Sequence, residues 1–552
     1  MEATAIQNSI IESTGNTVVI ASPGSGKTFV ISEKIKKLLG DDAMLNYQGV
    51  IAISYTRKAS SNLKQRSLVD GVWSKNSFFG TIDSFCLTQI VLPFGNFVMG
   101  HPAKKDVVSV AYSELTNDQK EDFRWLTEGH PPYDDIKAPT WELFYKLYVG
   151  GQVMIESLEL LALHILKQCQ ACRKYIKARY KYIFIDEYQD ADEYTNGVFR
   201  ELINLGISGN VVGDSNQSIF GFAHKSSKYL ISLEQDPNFT AFRLSNNFRC
   251  SAPIINYSNR LIDKNCALLE TEDDGMELIT VTGTEKGVAA CIDGCLKEDC
   301  EKYNVTDMSQ VAILVKNKRT QELIDQNLDA PHRVIESTDL DADLNPRSRL
   351  YGMLLQFYLD ATMRFLSITD EFVDYEMLTE TERISLKELK EKIMAVAMVE
   401  KEDKLPGLFK QVGDILLPNI DEGLATIHLE KVLADKSLLD TYRPITGDEV
   451  LIMTLHKAKG LEFDIVYHLN LNQWELPFKK VENRDFDNPL YPNWNQDIDL
   501  HYVGITRAKK ACFMITSTQR HNSIGAIKSS QPSEFLSLNG LDKLRKDYTY
   551  NS

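Results

Sequence analysis

The 552-residue chain lacks any run of about 18 consecutive apolar residues, so no helical membrane span is predicted. The stretch Glu2 to Ser9 has no basic segment leading into a sustained apolar one, and no secretory signal is read there. Positive charge is also scarce. Lys+Arg number 61 against 77 Asp+Glu, a net of −16, which excludes a histone-like protein that grips nucleic acid through bulk charge. A local basic track on an acidic body is still compatible with that balance. Nine unevenly spaced cysteines do not form a disulfide framework. Cys169 and Cys172 make a lone CxxC pair, and Cys291, Cys295 and Cys300 share one stretch with helical spacing. A metal or iron–sulfur site there is the alternative to the expected buried, reduced thiols. No tandem repeat or low-complexity run is visible. Hydrophobic residues at 43% and charged residues at 25% are ordinary globular composition. The length suits about three to five compact units. A soluble, cytoplasmic protein is expected.

Against these absences stands one strong local signal. Thr17-Val18-Val19-Ile20 reads as a buried parallel strand. It runs into Ala21-Ser22-Pro23-Gly24-Ser25-Gly26-Lys27-Thr28, and Phe29 to Leu39 follows with the pattern of an amphipathic helix. Strand, glycine-rich turn and helix in this order make a P-loop, whose backbone N–H groups converge on phosphate oxygens at a helix N-terminus. Lys27 is placed to reach the β- and γ-phosphates of ATP, and Thr28 to ligate Mg²⁺. A second buried run, Tyr182-Ile183-Phe184-Ile185, ends in Asp186-Glu187. Carboxylates at the end of a parallel strand lie where such folds bind ligands. Asp186 is expected to hold Mg²⁺ and Glu187 to polarise the attacking water. Nucleotide hydrolysis follows, although a chance glycine turn and a strand-ending acidic pair are the bland readings of the two halves.

Five further blocks come in order. They are Asp186-Glu187-Tyr188-Gln189-Asp190, Val211 to Phe220 (VVGDSNQSIF), Leu244 to Arg249 (LSNNFR), Thr454 to Phe463 (TLHKAKGLEF) and Tyr502 to Ala508 (YVGITRA). Together with the P-loop, Ser54 to Ala59 and Gly80 to Phe85, this set closely resembles the UvrD/Rep/PcrA helicases of superfamily 1. The matches span residues 7 to 508. The resemblance implies an α/β fold of two RecA-like parallel-sheet motor domains, each with a mostly helical insertion. Residues 1–91 and 173–245 would form the first motor domain and 92–172 its insertion. Residues 246–320 and 446–552 would form the second, with 321–445 as a reduced second insertion.

The resemblance also implies residue roles. Gln7 is placed like the family's adenine-reading glutamine, and Gln217 like its γ-phosphate sensor. Arg249 and Arg507, far along the chain from the P-loop, would supply positive charge at the γ-phosphate across a domain interface. Phe29 stands where the family has an arginine beside adenine, so Phe29 and Phe248 are expected to sandwich the base; Glu462 completes the nucleotide set. Tyr55, Phe220 and Phe222 would stack single-stranded bases, Arg57, Lys58 and Thr81 would donate to phosphates, and His456 would couple the strand to the second domain. Any of the rings could instead be core. From Leu160 to Ile185 no acidic residue occurs, while Lys167, Arg173, Lys174, Lys177, Arg179 and Lys181 do. That basic stretch with interleaved tyrosines suits either a solvated helix face or a phosphate track.

Departures from the family pattern matter as well. The insertions are short, Ala223 and His224 replace an expected arginine after Phe222, and Asp497-Ile498-Asp499 stands before Tyr502 where Glu and Arg are usual. The expected activity is an ATP- and Mg²⁺-dependent single-stranded DNA translocase and 3′→5′ helicase acting at single-strand/duplex junctions. The compact build resembles the UvrD-like subunit that works beside an OLD-type nuclease in Gabija anti-phage systems, which implies a nuclease partner in a hetero-oligomer. Two other readings remain: a nucleotide-gated DNA-end sensor that signals to a partner nuclease, and a remodeller that displaces proteins.

Overall fold

A computed structural model describes residues 3–551 except 42–43, 70, 104–106, 220, 222–224, 361, 374, 376–377, 419, 483–484, 486–487 and 523. The chain divides into two compact units. One comprises residues 1–82, 173–334 and 446–552, and the other 83–172 and 335–445.

The first unit contains two sheets. In the six-stranded sheet the spatial order is Phe78–Gly80, Gly49–Ile53, Tyr180–Ile185, Ser208–Gly213, Thr17–Ala21 and Thr240–Leu244, and every pairing is parallel. The seven-stranded sheet runs His332–Val334, Val450–Thr454, Val311–Val315, Phe463–His468, Ala508–Ser517, Met276–Thr282 and Lys546–Asn551, again all parallel. Central strands are apolar throughout because helices cover both faces: Gly49–Ile53 and Val311–Val315 are buried at every position. This is the α/β architecture of two parallel-sheet motor domains.

The second unit is mostly helical. Leu350, Leu354, Ile393, Phe409 and Leu429 belong to one hydrophobic cluster. One of its helices spans Glu380–Met394 and is started by a capping box between Thr379 and Glu382.

Two expected boundaries move. The expected edge at 91/92 falls inside a helical run that continues from Ile82 through Phe94. Pro93 follows the wide turns of Cys86–Val91, where Leu92 N–H reaches back five residues to Leu87 O, and Gly95 keeps ordinary helical φ. The division accordingly falls at 82/83. The other expected edge, 320/321, cuts a helix, Lys318–Asp325, that leads to the strand His332–Val334. That strand pairs with Val450–Ile452, which carries the second sheet on to Val334.

Seven of the nine cysteines are buried, and Cys172 N–H donates to Cys169 Sγ at 3.4 Å. Among the described residues no group of three or more His, Cys, Asp or Glu is disposed to hold a metal ion, and no helix is long and apolar enough to cross a membrane.

Candidate nucleotide site

The P-loop begins where Thr17–Ala21 ends. Ser22 N–H donates to Leu244 O at 2.8 Å, and the helix Lys27–Gly40 starts from Gly26 in left-handed conformation. Gly24 (φ +66°) and Gly26 (φ +87°) are both required. A Cβ on Gly24 would lie 2.3 Å from Asn247 Oδ1, and one on Gly26 2.7 Å from Gln7 Nε2. Buried Gln7 donates to Ser25 O at 3.1 Å and accepts from Thr4 N–H at 2.9 Å. Its amide therefore braces the loop from behind while capping the helix Ala5–Glu12.

Lys27 Nζ lies 3.6 Å from Glu187 Oε1, and Thr28 Oγ1 lies 3.5 Å from Asp186 Oδ2. Lysine, hydroxyl and both strand-end carboxylates thus converge on one spot. Burial and then Glu187 push the Asp186 carboxyl up. Burial pushes Glu187 the same way, but Lys27 and Lys459 outweigh it and hold Glu187 down. The donor set suits Mg²⁺, which takes few protein oxygens and completes its shell with water and phosphate. Thr28 and Asp186 are the residues that would hold the ion, and a dication there reverses the Asp186 shift.

The second sheet supplies cations at the starts of its strands. Arg507, just before Ala508–Ser517, is 2% exposed. It donates through Nη2 to Gln217 Oε1 at 3.2 Å, through Nη1 to Leu461 O at 3.1 Å and through Nε to Val503 O at 3.2 Å. Burial, then Arg249, lowers its pKa to about 10. Gln217 in turn donates to Asp214 Oδ2 at 3.0 Å. Arg249 Nε pairs with Glu462 Oε2 at 2.6 Å, so Glu462, expected on the nucleotide, here holds an arginine. The loop carrying Arg249 touches the P-loop directly, since Phe248 N–H donates to Gly24 O at 2.9 Å.

Phe29 and Phe248 stand differently. Phe29 is half-buried against the core of the first sheet, whereas Phe248 is exposed beside the P-loop. Tyr55, half-buried, lies under two ammonium groups: Lys225 Nζ at 4.7 Å and Lys459 Nζ at 5.9 Å from the ring centre. Thr81 and His456 are half-buried, and burial followed by Lys316 lowers the His456 pKa. Phe220, Phe222 and the side chains of Arg57 and Lys58 lie outside the described residues.

Sequence reasoning passed over Lys459. Its Nζ lies 2.5 Å from Asp190 Oδ2 and 2.6 Å from Gln217 O, which ties the second sheet to the strand-end carboxylates of the first. It also passed over Asn247, whose Oδ1 accepts from Arg249 N–H at 2.8 Å and Cys250 N–H at 3.0 Å. Gln189 was missed too; it donates to Glu187 and accepts from Asp214 N–H at 3.0 Å. Each lies inside or beside a block already noted, and that membership was the available signal.

Comparison with known families bears directly on this arrangement. The UvrD/REP helicase N-terminal domain matches residues 3–129 and 103–238, and the UvrD-like helicase C-terminal domain matches 353–519. The chain belongs to the UvrD-like helicase family. Within that family it is 25% identical to the Gabija protein GajB of Bacillus cereus (strain VD045), over 93% of this chain and 95% of the relative. It is 22% identical to the ATP-dependent DNA helicase PcrA of Bacillus subtilis (strain 168), covering 96% and 85%. The PcrA of Staphylococcus aureus (strain COL) is likewise 22% identical, covering 95% and 84%. In this UvrD-like chain one sheet carries the P-loop, and the other carries Arg507 just before one of its strands.

Proposed function

We propose that this UvrD-like chain is an ATP-driven translocase on single-stranded DNA that unwinds duplexes with 3′→5′ polarity and works in a complex with a partner protein. The observation that carries the reading is the bridge from Arg507 and Lys459 to Gln217 and Asp190, because it makes the site bipartite. When bound, ATP with Mg²⁺ supplies the γ-phosphoryl group and the charge neutralisation its transfer needs. Lys27 orients the phosphates, Glu187 takes up a proton from the attacking water, and Arg507 with Arg249 sets positive charge opposite the P-loop. Gln217 touches Arg507 on one side and Asp214 on the other, so a change in phosphate contacts shifts one sheet against the other. Tyr55, linked to Lys459, gives that shift a grip on a stacked base.

Likeness to a Gabija protein over nearly the whole of both chains supports a defence role beside an OLD-type nuclease. The test is strand displacement on duplexes with 3′ or 5′ single-stranded tails, with and without proteins that co-purify. The reading expects unwinding of the 3′-tailed substrate. ATPase stimulation without displacement favours a DNA-end sensor instead, and no stimulation by DNA favours a protein remodeller.

A further inference from the structure

The basic stretch around Lys174 takes no part in the site above. It lies where the strands Gly49–Ile53, Phe78–Gly80 and Tyr180–Ile185 begin, the edge of the first sheet opposite Ser54, Thr81 and Asp186. At about 3.3 Å per residue, five-residue strands separate the two edges by roughly 17 Å. Three lead-in segments are joined there. Asn76 N–H donates to Gln48 O at 3.4 Å, Lys75 Nζ to Met44 O at 2.6 Å, and Arg179 Nε to Asn76 O at 3.3 Å. On the surface they form, Tyr47 is 57% and Trp73 62% exposed, and neither ring makes a hydrogen bond or ring contact among the described residues. Lys174, Lys177 and Lys181 are exposed beside them without an ion pair among the described residues.

We propose that this edge is a second binding surface for single-stranded nucleic acid, separate from the motor track. Two unpartnered aromatic faces next to three uncompensated ammonium groups match what an unstacked strand offers: base faces to stack and phosphates to neutralise. A duplex keeps its base faces covered and makes no use of the rings. A protein partner fits less well, because protein interfaces favour Trp, Tyr and Arg but are depleted in Lys. No carboxylate occurs from Leu160 to Ile185, so the helix that carries Lys174 and Lys177 sets no like charge of its own against a phosphate. On the reading proposed above, unwinding yields two strands, and this edge would retain the one that the motor does not hold.

The test is an anisotropy titration of the full-length protein with oligothymidylate of about 8 nucleotides, within the 4–16 covered by such platforms. Two bound oligonucleotides per chain are expected. Trp73→Ala with Lys177→Glu should weaken one site at least tenfold and leave DNA-stimulated ATPase and Tm unchanged, whereas Tyr55→Ala should spare that site. Lys174→Ala with Lys177→Ala should flatten the salt dependence of that site, by about 0.7 in slope for each phosphate no longer neutralised. A single class of site that Trp73→Ala with Lys177→Glu does weaken upholds the proposal and removes the motor-track site instead. Failure of that change to weaken any site, whether one class or two is found, overturns the proposal. So does tighter binding of a leucine-bearing oligoglutamate peptide at this edge, which would reassign the surface to an acidic protein. Stoichiometry reads out without ATP, so failure of the translocase reading would not be confused with failure here.

Discussion

The two parallel sheets share an architecture and differ in what they bring to the site. The first ends its strands in carboxylates, Asp186, Glu187, Asp190 and Asp214, around the P-loop; the second begins its strands beside cations, Lys459, Arg249 and Arg507. Left alone, the first edge is a buried acidic cluster with Lys27 as its near cation, and the second is a set of guanidinium and ammonium groups. Brought together, each set offsets the other's desolvation. On the function proposed above, this difference links hydrolysis to movement, since the chemistry would be complete only when both sheets contribute.

The contrast can be broken from either side. The largest effect is expected from Lys27→Ala on the first sheet, which should reduce kcat for ATP by about 100- to 1,000-fold or more. Steady-state phosphate release measures it, and retained turnover would refute the phosphate assignment. Next comes Lys459→Ala, which strands the Asp190 carboxylate, whose Oδ1 has no hydrogen-bond partner among the described residues. Breaking one side of a buried pair costs about 3–5 kcal/mol. Urea unfolding should show it, and adding Asp190→Asn should restore more than half. A smaller loss is expected for Tyr55→Ala, about 1–3 kcal/mol of single-strand affinity from removal of one stacking platform. ATPase stimulation should then need a correspondingly higher oligonucleotide concentration.

A last contrast separates the sheets by pH. In the first sheet, burial raises Asp186, Asp190 and Asp214 above the ordinary 3.8. Between that value and their folded pKa the native state binds more protons than the unfolded one, so their contribution improves as pH falls. In the second sheet, burial lowers His468 to about 3 and His501 well below 6.5, around a contact of 3.0 Å between the rings. Here the unfolded state binds more protons below pH 6.5, and stability is lost as pH falls, by up to about 1.4 kcal/mol per pH unit per histidine. Hydrogen exchange from pH 6.5 to 4.5, corrected for intrinsic rates, should show protection falling for Phe463–His468 relative to Tyr180–Ile185. Equal changes in both strands would contradict the assignment.

The parts of this site legible in the sequence are those written contiguously. Gly24, Gly26 and Lys27 follow their own strand, and Asp186-Glu187 close theirs, so local pattern suffices. The fold class came with the family resemblance, and the apolar runs agree with it, because a parallel strand buried on both faces is apolar at every position. Lys459 was illegible for the opposite reason: its partners Asp190 and Gln217 are more than 240 residues away, and nothing in KAKG marks one lysine as buried and paired. The edge placed at 91/92 lies inside a continuous helical run, because Pro93 is accommodated beside the wide turns of Cys86–Val91. Phe29 was read for the base it might flank, while its position on the inner side of the P-loop helix turns it toward the core.

The proposed coupling rests above all on the second sheet completing the site of the first. The most direct measurement is Arg507→Ala assayed for both nucleotide affinity and DNA-stimulated turnover. Nucleotide affinity should change by less than about tenfold while kcat falls about a thousandfold, as for loss of an arginine supplied across an interface. Turnover within a factor of about three of the parent would contradict it, since 1.4 kcal/mol, a factor of about ten, is the least that a working contact of this kind contributes.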